Sequence, residues 1–421
     1  MAEQLLNISD LPYDYWGLPP VHVDKLANGA EHDGDADNEA FDVSADGRYV
    51  AFSLGSVSGV GDLLAPDDNG LRDVYRKDIE TAELALVSSG ADGVETSHIA
   101  VSVSADGRYA AYMSRPTAGE GHLSLHVRDM TSASVETHSV VDTSLEITSA
   151  SLSGDGRSLL YYRHHSLADG PAEGVYVLDL DTDSEERLGG PETGGLTVIR
   201  PVALTPSGAH ALVISQAGLY VIEIGTSATS RADTNADGQP ADIPAEARGS
   251  AVSADGRYVT FLSEAANLVE DPPEPFIHHV YLKDMETGAI VRVSANQATG
   301  VEADKNSRHP VITPDGRFVL FPSYAENLTP LVERSGQEFG GCALEMCPTG
   351  MIYAYEVATR RVAMAEVGFD HTTPCCSSNF ARLISVTDHY LVFSSRNVQL
   401  VATGADDVTR IFRSEIPLWT P

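Results

Sequence analysis

Arg200, Arg248 and Arg308 each stand five residues ahead of the Thr or Ser that opens a short glycine-containing turn. A guanidinium binds carboxylate or phosphate oxygens two at a time and keeps its charge when partly desolvated. Three of them at one repeated position make a cationic arc suited to an anion. Two histidines flank that position, His98 just ahead of it and His309 just behind. Imidazole titrates near neutrality, so this pair could carry protons for a bound anion. The other copies put Glu39, Ile99, Thr148 and Phe380 at the aligned position, with Arg382 two places further along in the last copy. A structural alternative stays open, in which the arginines pair with Glu39, Glu246 or Asp304 and only hold strands in place.

The elements that must position these residues are legible as an internal repeat. VSADGRYVAF from Val43, VSADGRYAAY from Val103 and VSADGRYVTF from Val252 are near copies, and looser ones begin at Ser151, Ala203, Val311 and Ile384. In each, a short apolar segment leads into the turn, where Asp-Gly supplies a residue tolerant of positive φ. A second strand follows, then a variable loop, a third strand such as DVYRKD or HVYLKD, a Thr/Gly turn and a fourth strand. Four antiparallel strands, seven times over, predict an all-β, seven-bladed β-propeller. The chain is expected to be one domain, 1–421, with blades at approximately 41–99, 100–150, 151–200, 201–249, 250–309, 310–380 and 381–421. The last copy ends at TRIFRSEIPLWTP with no fourth strand, whereas VHVDKL near the N-terminus resembles one. Residues 1–40 are therefore expected to complete the last blade and close the ring.

The S/T-x-D-G-R-Y-V-x-F pair followed by V-Y-x-x-D-x-x-T-G resembles the TolB-like (PD40, WD40-like) propeller repeats of bacteria, over about residues 20 to 420. Such propellers include binding proteins, periplasmic components and enzyme domains, so the resemblance specifies fold far better than function. It implies that the strand before the turn is innermost and lines the channel. The residues just ahead of that strand then lie at the channel mouth, beneath the loops between second and third strands, where ligands usually bind.

On that frame Cys342, Cys347, Cys375 and Cys376 fall in adjoining loops of the same face. Two disulfides are the first reading and free thiols the second. A zinc site is the third, because C-x4-C with a vicinal pair lacks the usual ligand spacing. His164, His165, His278, His279 and His371 gather there too. His165 and His279 are taken as ligand contacts, since strand alternation lets only one of His278 and His279 face the ligand. Asp233, Asn235 and Asp237 begin a D-x-N-x-D-G calcium-loop pattern, but Pro244 stands where its last ligand belongs. Calcium is the weaker reading of an ordinary turn, and no other cofactor is indicated.

The net charge of -34, from 61 Asp+Glu against 27 Lys+Arg, repels phosphate backbones and anionic lipid. Nucleic-acid and membrane partners are therefore not expected. The N-terminus shows no secretory signal and no apolar run of membrane-spanning length, so a cytoplasmic protein is expected, or an exported one whose leader has been removed. The favoured function is binding of an anionic small molecule at the channel mouth, with lyase, cyclase or isomerase chemistry if there is catalysis. The alternative is a non-catalytic protein-interaction platform built on the long loops, with Phe276, Phe339 and Tyr324 as contacts.

Overall fold

The computed structural model describes residues 21–25, 36–54, 72–88, 96–116, 124–132, 135–139, 150–163, 174–189, 195–325, 327–328, 351–365, 384–395 and 410–416. These form seven antiparallel sheets arranged as the blades of a propeller. Within each blade the chain moves outward strand by strand, and one buried apolar cluster fills each seam between neighbouring blades. The period-2 alternation of a strand explains those clusters. In blade five, Phe261 and Tyr281 pack toward blade four, while Leu262 and Val280 pack toward blade six.

The repeated turn owes its sequence to three local bonds. In blade one the Ser44 hydroxyl donates to Asp46 at 2.6 Å, and the same carboxylate oxygen accepts the Arg48 N–H at 3.0 Å. The Ser44 hydroxyl oxygen also accepts the Tyr49 N–H at 2.9 Å. Gly47 takes φ +72°, and a Cβ there would collide with the Tyr390 ring. Gly107 is covered in the same way by Tyr49, and Gly156 by Tyr109. The Gly-Arg-Tyr signature is thus an inter-blade device, with one blade's tyrosine capping the next blade's glycine. The arginine pairs with the acid that ends the third strand, as in Arg48–Asp78 at 2.7 Å, Arg108–Asp129 at 2.6 Å and Arg257–Asp284 at 2.9 Å.

The N-terminal strand Val21–His22 pairs with Arg410–Glu415 and forms the outer edge of blade seven. Two further contacts lock this closure. Lys77 of blade one donates to the Lys25 carbonyl at 2.8 Å, and the Asp42 carboxylate of blade one accepts from Ser385 of blade seven at 2.6 Å. Lys283 repeats the lysine device, donating to the carbonyls of Thr234, Asn235 and Gly288. Two of the chain's four lysines are therefore inter-blade pins and not surface charge.

Blade five departs from the expected four strands. Its sheet has three, and the inner edge survives only as the isolated bridges Glu246↔Leu262 and Val252↔Val259. Gly249 at φ +59° and the tight Ala251 N–H to Gly249 carbonyl bond, 2.7 Å, break the ladder between them. The break lies immediately after Arg248.

Candidate functional site

The Ser/Thr turns and the third-to-fourth-strand turns share one end of the barrel, tied by the Arg–Asp pairs. The opposite, top end carries the links into the inner strands. Among the described residues it is built mainly from blades four, five and six.

Strand alternation sets the direction of each arginine. Ala245 and Ala247 pack into the seam between blades four and five, so Glu246 and Arg248 turn toward blade six. Arg200, on the inner strand Val198–Leu204, reaches forward in the same sense and donates to the Ala247 carbonyl at 3.4 Å. In blade six the Ser307 hydroxyl meets Ser323 at 2.9 Å on the side facing blade five, so Arg308 turns the other way. Its guanidinium lies 5.7 Å from the centre of the Tyr324 ring. Each arginine thus reaches toward the blade that follows. Arg248 and Glu246 are both exposed and make no ion pair among the described residues.

The residue after the arginine takes a left-handed conformation in both blades, Gly249 at φ +59° and His309 at φ +37°. Such a φ costs glycine nothing and a side-chain-bearing residue of order 1 kcal/mol or more. His309 is half-buried. His98 lies on the inner strand Thr96–Val103 of blade two, opposite Ser114, and Glu39 on the inner strand Ala36–Val43 of blade one.

Blade seven corrects the alignment. Val386 pairs with Leu391, as Val43 pairs with Val50, and the Thr387 N–H bonds the Tyr390 carbonyl, as Ser44 bonds that of Tyr49. Thr387, not Ser385, is therefore the turn residue, and five places ahead of it stands Arg382, not Phe380. The turn is two residues shorter here, which hid the register. Phe380, Arg382, His165 and the four cysteines lie outside the described residues.

The two histidines of blade five exchange their expected roles. His279 is fully buried, its Nδ1 at 3.2 Å from Ser294 and its Nε2 at 3.5 Å from Glu302. Burial, with the Arg292 charge beside it, pushes its pKa down to about 4. It belongs to an internal cluster in which Glu302 holds Arg292 at 2.5 Å and accepts the Glu274 N–H at 2.9 Å. His278, one residue earlier, is the outward-facing member, with Nε2 at 2.8 Å from Glu264. The alternation was legible in the sequence, but not which face it favoured.

The calcium pattern is used otherwise. Asp233 is buried in a pair with Arg231 at 2.7 Å and also accepts the Leu219 N–H. The Asn235 side chain caps the N–H groups of Asp237 and Gln239, and its amide donates to the Asn267 carbonyl at 3.3 Å. Asn296 and Asn327 repeat this clasp one blade later, at 3.0 Å. Sequence reasoning passed over these asparagines, although SEAANL and SYAENL following successive second strands were a visible signal.

No protein-family model matches the chain, and no curated protein matches it. Solved structures do. TolB from Acinetobacter baumannii has a TM-score of 0.41 at 17% identity; 76% of this chain is covered, and it spans 64% of that chain. An oligogalacturonate lyase from Vibrio parahaemolyticus has a TM-score of 0.52 at 13% identity, over 91% of this chain and 92% of the other. The β-propeller domain of the Trilobed protease from Pyrococcus furiosus has a TM-score of 0.52 at 12% identity, over 90% and 95%. That domain is described as having an open velcro topology, whereas here an N-terminal strand closes the last blade. At these identities the likeness is one of fold, a seven-bladed propeller in keeping with the TolB-like character of the repeats.

Proposed function

We propose that this chain binds an anionic small molecule, bearing a carboxylate or phosphate, at the channel mouth over blades four to six. Arg248 is the observation that carries this reading. It is an exposed guanidinium without an ion-pair partner among the described residues, in a chain of net charge -34. Arg200 and Arg308 stand in register on either side, and Arg382 continues the series by count. A chain so rich in carboxylates has ample means to neutralise an idle arginine.

Any catalysis in this reading is acid–base chemistry of the lyase, cyclase or isomerase type, with His309 and His98 as proton carriers. His309 supports it by its backbone, since an imidazole occupies a left-handed position that the neighbouring blade fills with glycine. Strain kept at one residue is a recognised mark of functional positions.

The test is ligand-induced thermal stabilisation, with oligogalacturonate as the first probe because it is a polycarboxylate and a fold neighbour is named as its lyase. Phosphate and sulfate follow. The triple change Arg200→Ala, Arg248→Ala, Arg308→Ala is expected to abolish the stabilisation while the ring stays folded. An undiminished response would remove the reading. The platform alternative keeps one supporting feature, Phe276, which is 85% exposed at φ +68° in an acidic, proline-rich loop.

A further inference from the structure

The His278–Glu264 pair shares the blade-six-facing side of blade five with Arg248. Three observations place it there. His279 and Tyr281 point toward blade four, so His278 points with Val280 toward blade six. Ser263 pairs with His279, so Glu264 continues the ladder opposite His278, and the 2.8 Å contact confirms it. Glu246 bridges Leu262 on that same side, two residues before Arg248. The backbone of His278 is stitched to the link that carries Arg308. Its N–H donates to the Asn306 side chain at 2.9 Å, and its carbonyl accepts the Ser307 N–H at 3.0 Å. The backbone of the dyad is thereby tied to the link that carries Arg308, whose own side chain turns on toward the next blade.

We propose that His278 makes the anion site proton-linked, binding its anion more tightly when the imidazole is protonated, with Glu264 as the positioning carboxylate. This rests on the anion-site reading above. With Nε2 turned to Glu264, Nδ1 is the ring atom that gains the proton, and among the described residues it makes no hydrogen bond. Unprotonated, it is an acceptor and repels an anion's oxygens. Protonated, it is a charged donor added to those of the arginines. The other charges facing this region are Glu246 and Arg248 on the inner edge of blade five and Glu274 in the preceding loop. Asp304, Lys305, Arg308 and His309 lie on the link. Of these groups only His278 and His309 change charge in the ordinary case between pH 5.5 and 8, and the His278→Gln variant isolates the share of His278.

Sulfate is the probe, because it does not titrate in that range. Its dissociation constant is measured by calorimetry on the full chain from pH 5.5 to 8. The wild type is expected to bind about tenfold more tightly at pH 5.5 than at pH 8, and His278→Gln to flatten that profile. Glu264→Leu, which removes the contact that orients the ring, is expected to flatten the profile as His278→Gln does. A flat wild-type profile, or an unaltered slope in His278→Gln, overturns the proposal. An unaltered slope in Glu264→Leu overturns the part given to Glu264. Arg248→Ala separates the two levels: sulfate binding that survives it at every pH sinks the anion site itself, whereas binding lost at every pH leaves only the proton link to be judged.

Discussion

The carboxylate of Asp42 lies 2.6 Å from the hydroxyl of Ser385, joining the first blade to the last across the closure of the ring. The same carboxylate accepts the N–H of Val43 at 2.9 Å and, from blade two, the N–H of Val103 at 2.9 Å and the hydroxyl of Ser102 at 3.0 Å. Four donors fill its four lone-pair sites. Asp42→Asn sets an amide NH2 against donors and is expected to cost about 1–3 kcal/mol of stability. Ser385→Ala, which leaves the other three bonds intact, is expected to cost less. Urea midpoints of both variants check this, and an Asn variant as stable as the wild type would discount the clasp.

Closure also depends on the N-terminal strand. Removing residues 1–25 strips the outer edge of blade seven, the buried Val23 side chain and the carbonyl that Lys77 holds. The melting temperature is expected to fall by many degrees. Lys77→Met keeps the buried stem but orphans the carbonyls of Lys25 and Ala82, for about 1–3 kcal/mol. Calorimetric melting of the two variants measures both effects, and equal melting temperatures across all three proteins would refute them.

Two glycines separate strain from packing. Gly249 has left-handed φ, but a Cβ added there would meet only a Val311 methyl, at 3.9 Å, so Gly249→Ala is expected to cost about 1 kcal/mol from the backbone alone. Gly47 has the same kind of φ with the Tyr390 ring occupying the space a Cβ would need, so Gly47→Ala is expected to cost clearly more. Chemical denaturation should rank them in that order.

Acid destabilisation should carry a contribution from His279. Its folded pKa is lowered to about 4 from the ordinary 6.5, so the unfolded chain takes up the proton first as pH falls. The stability this group contributes is therefore present at neutral pH and is lost between about pH 6.5 and pH 4, amounting to about 3 kcal/mol at most. Comparing the pH dependence of urea unfolding in wild type and His279→Gln isolates it. Identical slopes in the two proteins would count against the assignment.

The acidic surface should respond to salt. With 61 acidic against 27 basic residues, self-repulsion opposes the compact state and is screened as ionic strength rises. The melting temperature is expected to climb between about 0.05 M and 1 M KCl. A flat or falling trend would show that repulsion is not limiting.

The amino-acid sequence by itself determined the ring. Seven copies of a Ser/Thr turn, five of them with both Asp and Gly, each followed by a period-2 apolar strand, have no other way to bury two-sided sheets than to stack around an axis. The missing fourth strand of the last copy, and the spare one at the N-terminus, determined the closure, and the register of Arg200, Arg248 and Arg308 was countable in the same way. Only the tertiary structure decided which side of a strand met a neighbour. Alternation states that His278 and His279 differ, but the packing of Tyr281 against blade four decided that His279 is buried and His278 faces outward. A D-x-N-x-D-G string looks alike as a calcium loop or as a clasp until Asn267 arrives beside it from the neighbouring blade, while Arg231, two residues upstream, takes up Asp233. Lys77 and Lys283 are pins because the neighbouring blade presents bare carbonyls at that point. Local pattern specifies periodicity and turn chemistry; facing, partner and burial are properties of the neighbour across the seam, which the strand's own residues do not encode.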